Sequence, residues 1–100
     1  MGNAYFMGID TGTNSSKGVL MDESGKVVAL HATTHAMTNP KPNHYEHDAE
    51  KDWWGDFCTI SKALIEKSGV DPKDIKAVGA SALGADCLPV DKDCNPLRKA

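Results

Sequence analysis

The chain has 100 residues, 40% of them hydrophobic, and a formal net charge of -3 at pH 7. That length fits one small domain, or a piece of a larger one, with a real but modest core. The mildly acidic balance and the single arginine, Arg98, give no reason to expect nucleic acid or an anionic membrane as partner, and Cys58, Cys87 and Cys94 are an odd number without close pairing, which argues against a disulfide framework or a zinc site.

The N-terminus lacks a basic segment followed by a long apolar core, and no apolar run approaches the roughly 18 residues of a membrane span. The expected location is therefore the cytoplasm. Ala4 to Ile9 predicts a first strand, and its near-continuous apolarity suits a strand covered on both faces. Asp10 closes it, Thr11-Gly12-Thr13-Asn14-Ser15 forms a turn, and Lys17 to Asp22 returns as a second strand. Successive N–H groups in such a turn make an anion nest. Asp10 offers oxygen to a hard cation, and Lys17 adds a point charge. On residue types alone, the hairpin reads either as a holder of phosphate beside a metal ion or as an ordinary tight turn with a solvated aspartate.

Glu23-Ser24-Gly25-Lys26 is a turn, and Val27 to His35 predicts a third strand. Short connections make the three strands an antiparallel meander. His31 and His35 face the same side about 13 Å apart, too far for one metal ion, and are expected to be partly exposed. Met37 to His44, with Pro40 and Pro42, reads as an irregular surface loop. His44, His47 and Asp48 have no further ligand nearby and are not assigned a metal. Asp48 is a good helix N-cap, but Lys51 stands where a capping box wants Glu or Gln. The helix should run from Ala49 to about Lys67, its apolar stripe formed by Trp53, Trp54, Phe57, Cys58, Ile60, Leu64 and Ile65. Both tryptophans are expected in the core, and Gly69 ends the helix. Pro72 opens a capped turn over Val70 to Asp74. Ile75 to Ala82 predicts a fourth strand, parallel to the sheet by a crossover. Leu83-Gly84-Ala85-Asp86 breaks the apolar pattern, Cys87 to Val90 predicts a fifth strand, and Asp91 to Asn95 is a polar turn.

Three segments carry a resemblance. Gly8-Ile9-Asp10-Thr11-Gly12-Thr13-Asn14-Ser15-Ser16-Lys17, continuing to Val19-Leu20-Met21-Asp22, resembles the opening phosphate motif of FGGY-family carbohydrate kinases. Tyr45-Glu46-His47-Asp48 with Trp53-Trp54 is similar to that family's segment before its first helix. Lys76 to Ala82, with Leu88-Pro89-Val90-Asp91 and Asn95-Pro96-Leu97-Arg98, is similar to a third. Order and spacing agree along essentially the whole chain.

The resemblance implies an α/β fold of the ribonuclease H-like, actin-like ATPase type, with a mixed sheet opening on the three-strand meander. It implies that residues 1–100 are the first part of the N-terminal domain of a xylulokinase-like enzyme, without the rest of that domain or the C-terminal domain. The implied activity is ATP-dependent phosphorylation of a ketose or related sugar, with a pentulose such as D-xylulose as the expected substrate. The alternative is an actin-like nucleotide-binding module without sugar kinase activity. ATP and Mg2+ are the implied cofactors, with Asp10, Thr11, Gly12, Thr13, Asn14, Ser15 and Lys17 around the nucleotide and Asp10 toward the metal. The catalytic base falls in a later stretch, so this chain alone is expected to be inactive; the complete protein is a possible homodimer. Gly84 and Ala85, followed by Asp86, stand where glycerol kinases carry an Arg-Glu pair and typical xylulokinases a Met-His pair. That departure points away from glycerol and also from an ordinary xylulokinase, and it makes the three residues the expected border of the sugar site; the alternative is a tight packing turn at Gly84 and Ala85 with Asp86 facing water. Glu46 is expected to order the loop above the helix.

Overall fold

The computed structural model describes residues 3–100. Three strands form the expected meander: β1 (Tyr5–Thr11), β2 (Ser15–Asp22) and β3 (Val27–Thr34). A ribbon, β4 (Thr38–Lys41) and β5 (His44–Glu46), comes next, then the helix α1 (Gly55–Ser68) and the strand β6 (Ile75–Ala82). The main sheet has the order β3-β2-β1-β6, with β6 parallel to β1 and the other pairs antiparallel. The crossover from β5 through α1 thus delivers the predicted parallel strand. No helix among the described residues is long and apolar enough to cross a membrane.

The alternation of a pleated strand sorts side chains between the two faces. Met7 and Ile9 of β1, Leu20 of β2 and Ala29 of β3 are buried against Ile60 and Leu64 of α1. Gly18 lies on the same face, and a Cβ there would overlap the Ile60 Cγ2 and sit 3.0 Å from the Leu64 Cδ1. A glycine in mid-strand therefore lets the helix approach the backbone of β2. α1 ends as predicted, on Gly69 at φ 71 with its N–H on the Ile65 carbonyl.

Several expectations are corrected. The predicted loop over Met37 to His44 contains the β4–β5 ribbon. Pro42 and Asn43 form its turn, Asn43 adopting φ 64, a pairing of Pro then a left-handed residue typical of a type II turn. The helix begins with a π-helical stretch, Ala49–Trp54, in which the Gly55 N–H bonds the Glu50 carbonyl. The wide turn changes two things. Asp48 caps the Glu50 and Lys51 amides as predicted, but the reciprocal bond that Lys51 could not make is supplied one residue later, by Asp52 Oδ2 accepting from the Asp48 amide at 3.2 Å. The phase also shifts, bringing Asp52 to the buried side, whereas Trp54 lies off the Ile60–Leu64 stripe even at 3.6 residues per turn: it is 65% exposed and stacks on Phe57 at 5.6 Å. Trp53 stays half-buried beside His47. The predicted fifth strand over Cys87 to Val90 does not form. Pro89 lacks an N–H, and the two arms are joined by a single bridge from Val90 to Pro96, with the Leu97 amide bonded to the Pro89 carbonyl and the Asp91 amide to the Asn95 carbonyl.

Candidate functional site

The parallel strands β1 and β6 end on the same side of the sheet, and the loops leaving them gather there. The Gly12-Thr13-Asn14 turn leaves β1, and the Leu83–Asp86 loop leaves β6; the Leu83 amide bonds the Thr11 carbonyl at 3.0 Å and ties the two together. Loops beyond the carboxyl ends of parallel strands are where ligands collect in open α/β sheets.

Asp10 and Lys17 face each other across β1 and β2, and both project from the side of the sheet away from α1. Asp10 sits one residue inside the end of β1 and Lys17 two residues inside the start of β2, and Ser15 is the first residue of β2 rather than part of the turn. Ser81 of β6 donates its hydroxyl to Asp10 Oδ1 at 2.6 Å, which fixes the carboxylate and leaves its second oxygen to the exterior. Asp10, Lys17 and Ser81 line a shallow groove of about 480 Å³ floored by Gly8, Gly79 and Val19.

The turn is held from beneath. Its Gly12 amide bonds the Ser15 carbonyl at 2.8 Å. Each successive carbonyl accepts a bond from a histidine: Gly12 from His35 Nε2 at 3.0 Å, Thr13 from His47 Nε2 at 2.8 Å, and Asn14 from the His35 backbone amide at 3.0 Å. In a trans peptide the C=O of one residue and the N–H of the next point opposite ways. No cis peptide occurs among the described residues. Carbonyls drawn inward at 12 and 13 therefore aim the amides of Thr13 and Asn14 outward. The Thr13 and Asn14 amides have no protein acceptor among the described residues, and both residues are exposed. This is the arrangement that binds an anion.

His35 was expected to be a partly exposed strand histidine. It lies just beyond β3 with a side chain only 4% exposed, its Nδ1 2.7 Å from Asp56 Oδ2. The same oxygen accepts the Ser16 hydroxyl at 2.7 Å. The order Ser–Asp–His leaves the serine bonded to the carboxylate and not to the imidazole, so the cluster is no nucleophile-and-base pair. The His47 ring meets the His35 ring edge-on at 5.4 Å. The sequence carries one signal for this cluster. Asp52, Asp56, Ile60 and Leu64 are all buried and spaced by four, so two carboxylates continue an apolar stripe. A buried carboxylate needs partners, and Ser16 and His35 supply them for Asp56.

On the other side, Ala85 and Asp86 line a cavity of about 280 Å³ with Thr11, Trp53, Ala82 and Leu83. Gly84 is in the same exposed loop but not in that wall. Ala85 takes φ 62, a left-handed conformation. Glu46 belongs to β5, where its main-chain carbonyl accepts the Thr38 hydroxyl at 3.3 Å. Asp22 and Asp91 stand apart from the site and organise turns. Hydrogen bonds from the Ser24 hydroxyl and the Lys26 amide hold the Asp22 carboxyl below its ordinary value, and the Asn95 amide does the same for Asp91. No group of three or more His, Cys, Asp or Glu side chains among the described residues is disposed to hold a metal by itself.

Comparison with known proteins places these features in context. The model of the N-terminal domain of the FGGY family of carbohydrate kinases matches residues 5–100. Among curated proteins, a glycerol kinase from Thermoanaerobacter sp. (strain X514) is 40% identical over 75 residues, which is 75% of this chain and 15% of the relative. Among solved structures, a gluconate kinase from Lactobacillus acidophilus superposes with a TM-score of 0.86 at 28% identity, over 97% of this chain and 19% of that one. A ligand-bound xylulose kinase from the same organism gives 0.84 at 28%, over 96% and 19%. The chain thus spans less than a fifth of each of these proteins.

Proposed function

We propose, since this chain belongs to the FGGY family of carbohydrate kinases, that the complete protein transfers the γ-phosphoryl group of ATP to a hydroxyl of a ketose or related sugar, with a pentulose such as D-xylulose as the substrate. The observation that carries this reading is the turn after β1, whose amides face outward beside the Asp10 carboxylate. The residues fit a magnesium nucleotide. One carboxylate with a free oxygen, and no cage of protein ligands among the described residues, suits an ion that keeps its waters and takes the rest of its ligands from phosphate. When bound, magnesium neutralises charge on the transferring phosphoryl group. Asp10 would orient that ion directly or through water. The Thr13 and Asn14 amides would bind phosphate oxygens, with Lys17 adding positive charge and Thr11, Gly12 and Ser15 shaping the turn.

In the reaction, a sugar oxygen bonds to the γ-phosphorus, the bond to the β-phosphate oxygen breaks, and the hydroxyl proton passes to a base. That base is assigned to none of the acids that already hold structural roles. Asp22 and Asp91 hold turns, Asp48 caps the helix, and Asp56 is bound to Ser16 and His35. On this reading the base lies in a later stretch, as the family resemblance implies, and the 100-residue chain alone is expected to turn over no sugar. Ala85 and Asp86 border the sugar, Asp86 accepting hydrogen bonds from vicinal hydroxyls, with Gly84 leaving room beside them.

The test is a panel of pentuloses, hexuloses and polyols, each given to the complete protein with ATP and magnesium while ADP release is followed. Preference for a pentulose supports the proposal. Preference for glycerol would reject the exclusion drawn from the small residues at 84 and 85, and the 40% identity to a glycerol kinase makes this the essential control. Nucleotide binding with no sugar phosphorylated would favour an actin-like nucleotide module instead.

A further inference from the structure

We propose that His35, locked by Asp56 and Ser16 and backed by His47, is a positioning residue for nucleotide: it sets the direction of the amides that hold phosphate. The inference rests on the phosphate-binding reading of the turn, and none of the four side chains belongs to the expected nucleotide set. A short exposed turn does not by itself keep consecutive carbonyls on one side, because flipping a peptide plane there meets little resistance. Here each plane is tied down, at 12 and 13, by a donor from below. To release the Gly12 carbonyl would strand a buried imidazole N–H, and an unmade buried hydrogen bond is costly.

The hydrogen-bond chemistry fixes the ring. A carbonyl only accepts, so His35 Nε2 carries hydrogen toward Gly12. On the other side, Nδ1 faces Asp56 Oδ2, an oxygen that already accepts from Ser16. A proton must lie between these two atoms, since otherwise a lone pair would face a carboxylate at 2.7 Å. The imidazole is therefore gripped at both nitrogens and cannot rotate without breaking both bonds. His47, 3% exposed and edge-on to His35, gives the second grip, on Thr13. The chain of contacts runs from α1, through Asp56 and His35, to the turn, so the position of the helix on the sheet becomes the orientation of the phosphate amides.

The test uses the complete protein and the isosteric geometry of amides. His35→Gln places a donor near Nε2 and keeps the Gly12 bond; His35→Asn places one near Nδ1 and keeps only the Asp56 bond; His35→Ala keeps neither. The expected result is that kcat/KM for ATP falls by about 10- to 100-fold in His35→Ala and His35→Asn, that His35→Gln recovers most of it, and that KM for the sugar changes by less than about twofold. ADP affinity measured by calorimetry should track the same order. Leu64→Ala, a core change on the same helix, should lower Tm and leave KM for ATP in place. Nitrogen-15 NMR of the ring should show Nε2 protonated. If His35→Ala and His35→Asn lower Tm but keep wild-type KM for ATP, or if Nε2 is bare, the proposal is overturned. A protein that binds ATP yet phosphorylates no sugar removes the sugar kinase reading and still supports the clamp if His35→Ala weakens ATP. A protein with no nucleotide affinity overturns both.

Discussion

Gly18→Ala tests the packing that carries the site. The added methyl would overlap the Ile60 Cγ2 and come within 3.0 Å of the Leu64 Cδ1, and both side chains are 0% exposed. Neither obstacle is the flexible end of a surface chain. The helix must lift from β2, or Ile60 must leave its rotamer, and overpacking of this kind costs about 1–3 kcal/mol. For a domain of 150–250 residues that corresponds to a Tm lower by roughly 2–12 °C. Asp56 rides on the same helix one turn before Ile60, so a lifted helix also stretches its 2.7 Å bonds to Ser16 and His35. Calorimetric melting of the complete protein measures the loss, and Ile60→Ala in the Gly18→Ala background should recover part of it, because the added methyl then occupies the space vacated. Such coupling between contacting residues is what a double-mutant cycle reads. Wild-type stability for Gly18→Ala, or strictly additive losses in the double mutant, would refute close approach of α1 at this position.

Asp10→Ala in the complete protein should lower kcat by about 100-fold or more while sugar binding changes little, as removal of a group aimed at transition-state charge does; steady-state kinetics at varied magnesium checks this, and near-normal turnover would remove the metal role. Asp86→Ala should change the relative kcat/KM values across the sugar panel, the loss of a buried hydrogen bond being about 1–3 kcal/mol, and an unchanged ranking would move the sugar site elsewhere. Ala85→Gly should raise stability slightly, by up to about 1 kcal/mol, because φ 62 suits glycine better than alanine; a fall in Tm would contradict the left-handed assignment. Asp22 is held below its ordinary carboxyl value of 3.8, so its contribution to turn order is present above that value and is lost as pH falls through the lowered one. Amide exchange at Ser24 and Lys26 should accelerate on acidification in the wild type after correction for intrinsic rates, and Asp22→Asn should abolish that dependence.

Local patterns in the sequence were enough to define the meander, the parallel fourth strand, the Asp48 cap and the Gly69 stop, because strand apolarity, short turns and capping residues act over a few positions. The resemblance of three short segments led to the family by the same local route. Tertiary structure decided what local rules cannot express. Asp52 is buried because one wide helical turn resets the phase of everything before Gly55, and residue spacing read at 3.6 per turn cannot register that reset. β4 and β5 pair because each offers the other a ladder, although neither reads as a strand alone. His35 is buried because Asp56, 21 residues later, and the Gly12 carbonyl, 23 residues earlier, satisfy both of its nitrogens. Burial of a polar group is permitted only where partners exist, and those partners come together only when the helix is laid on the sheet.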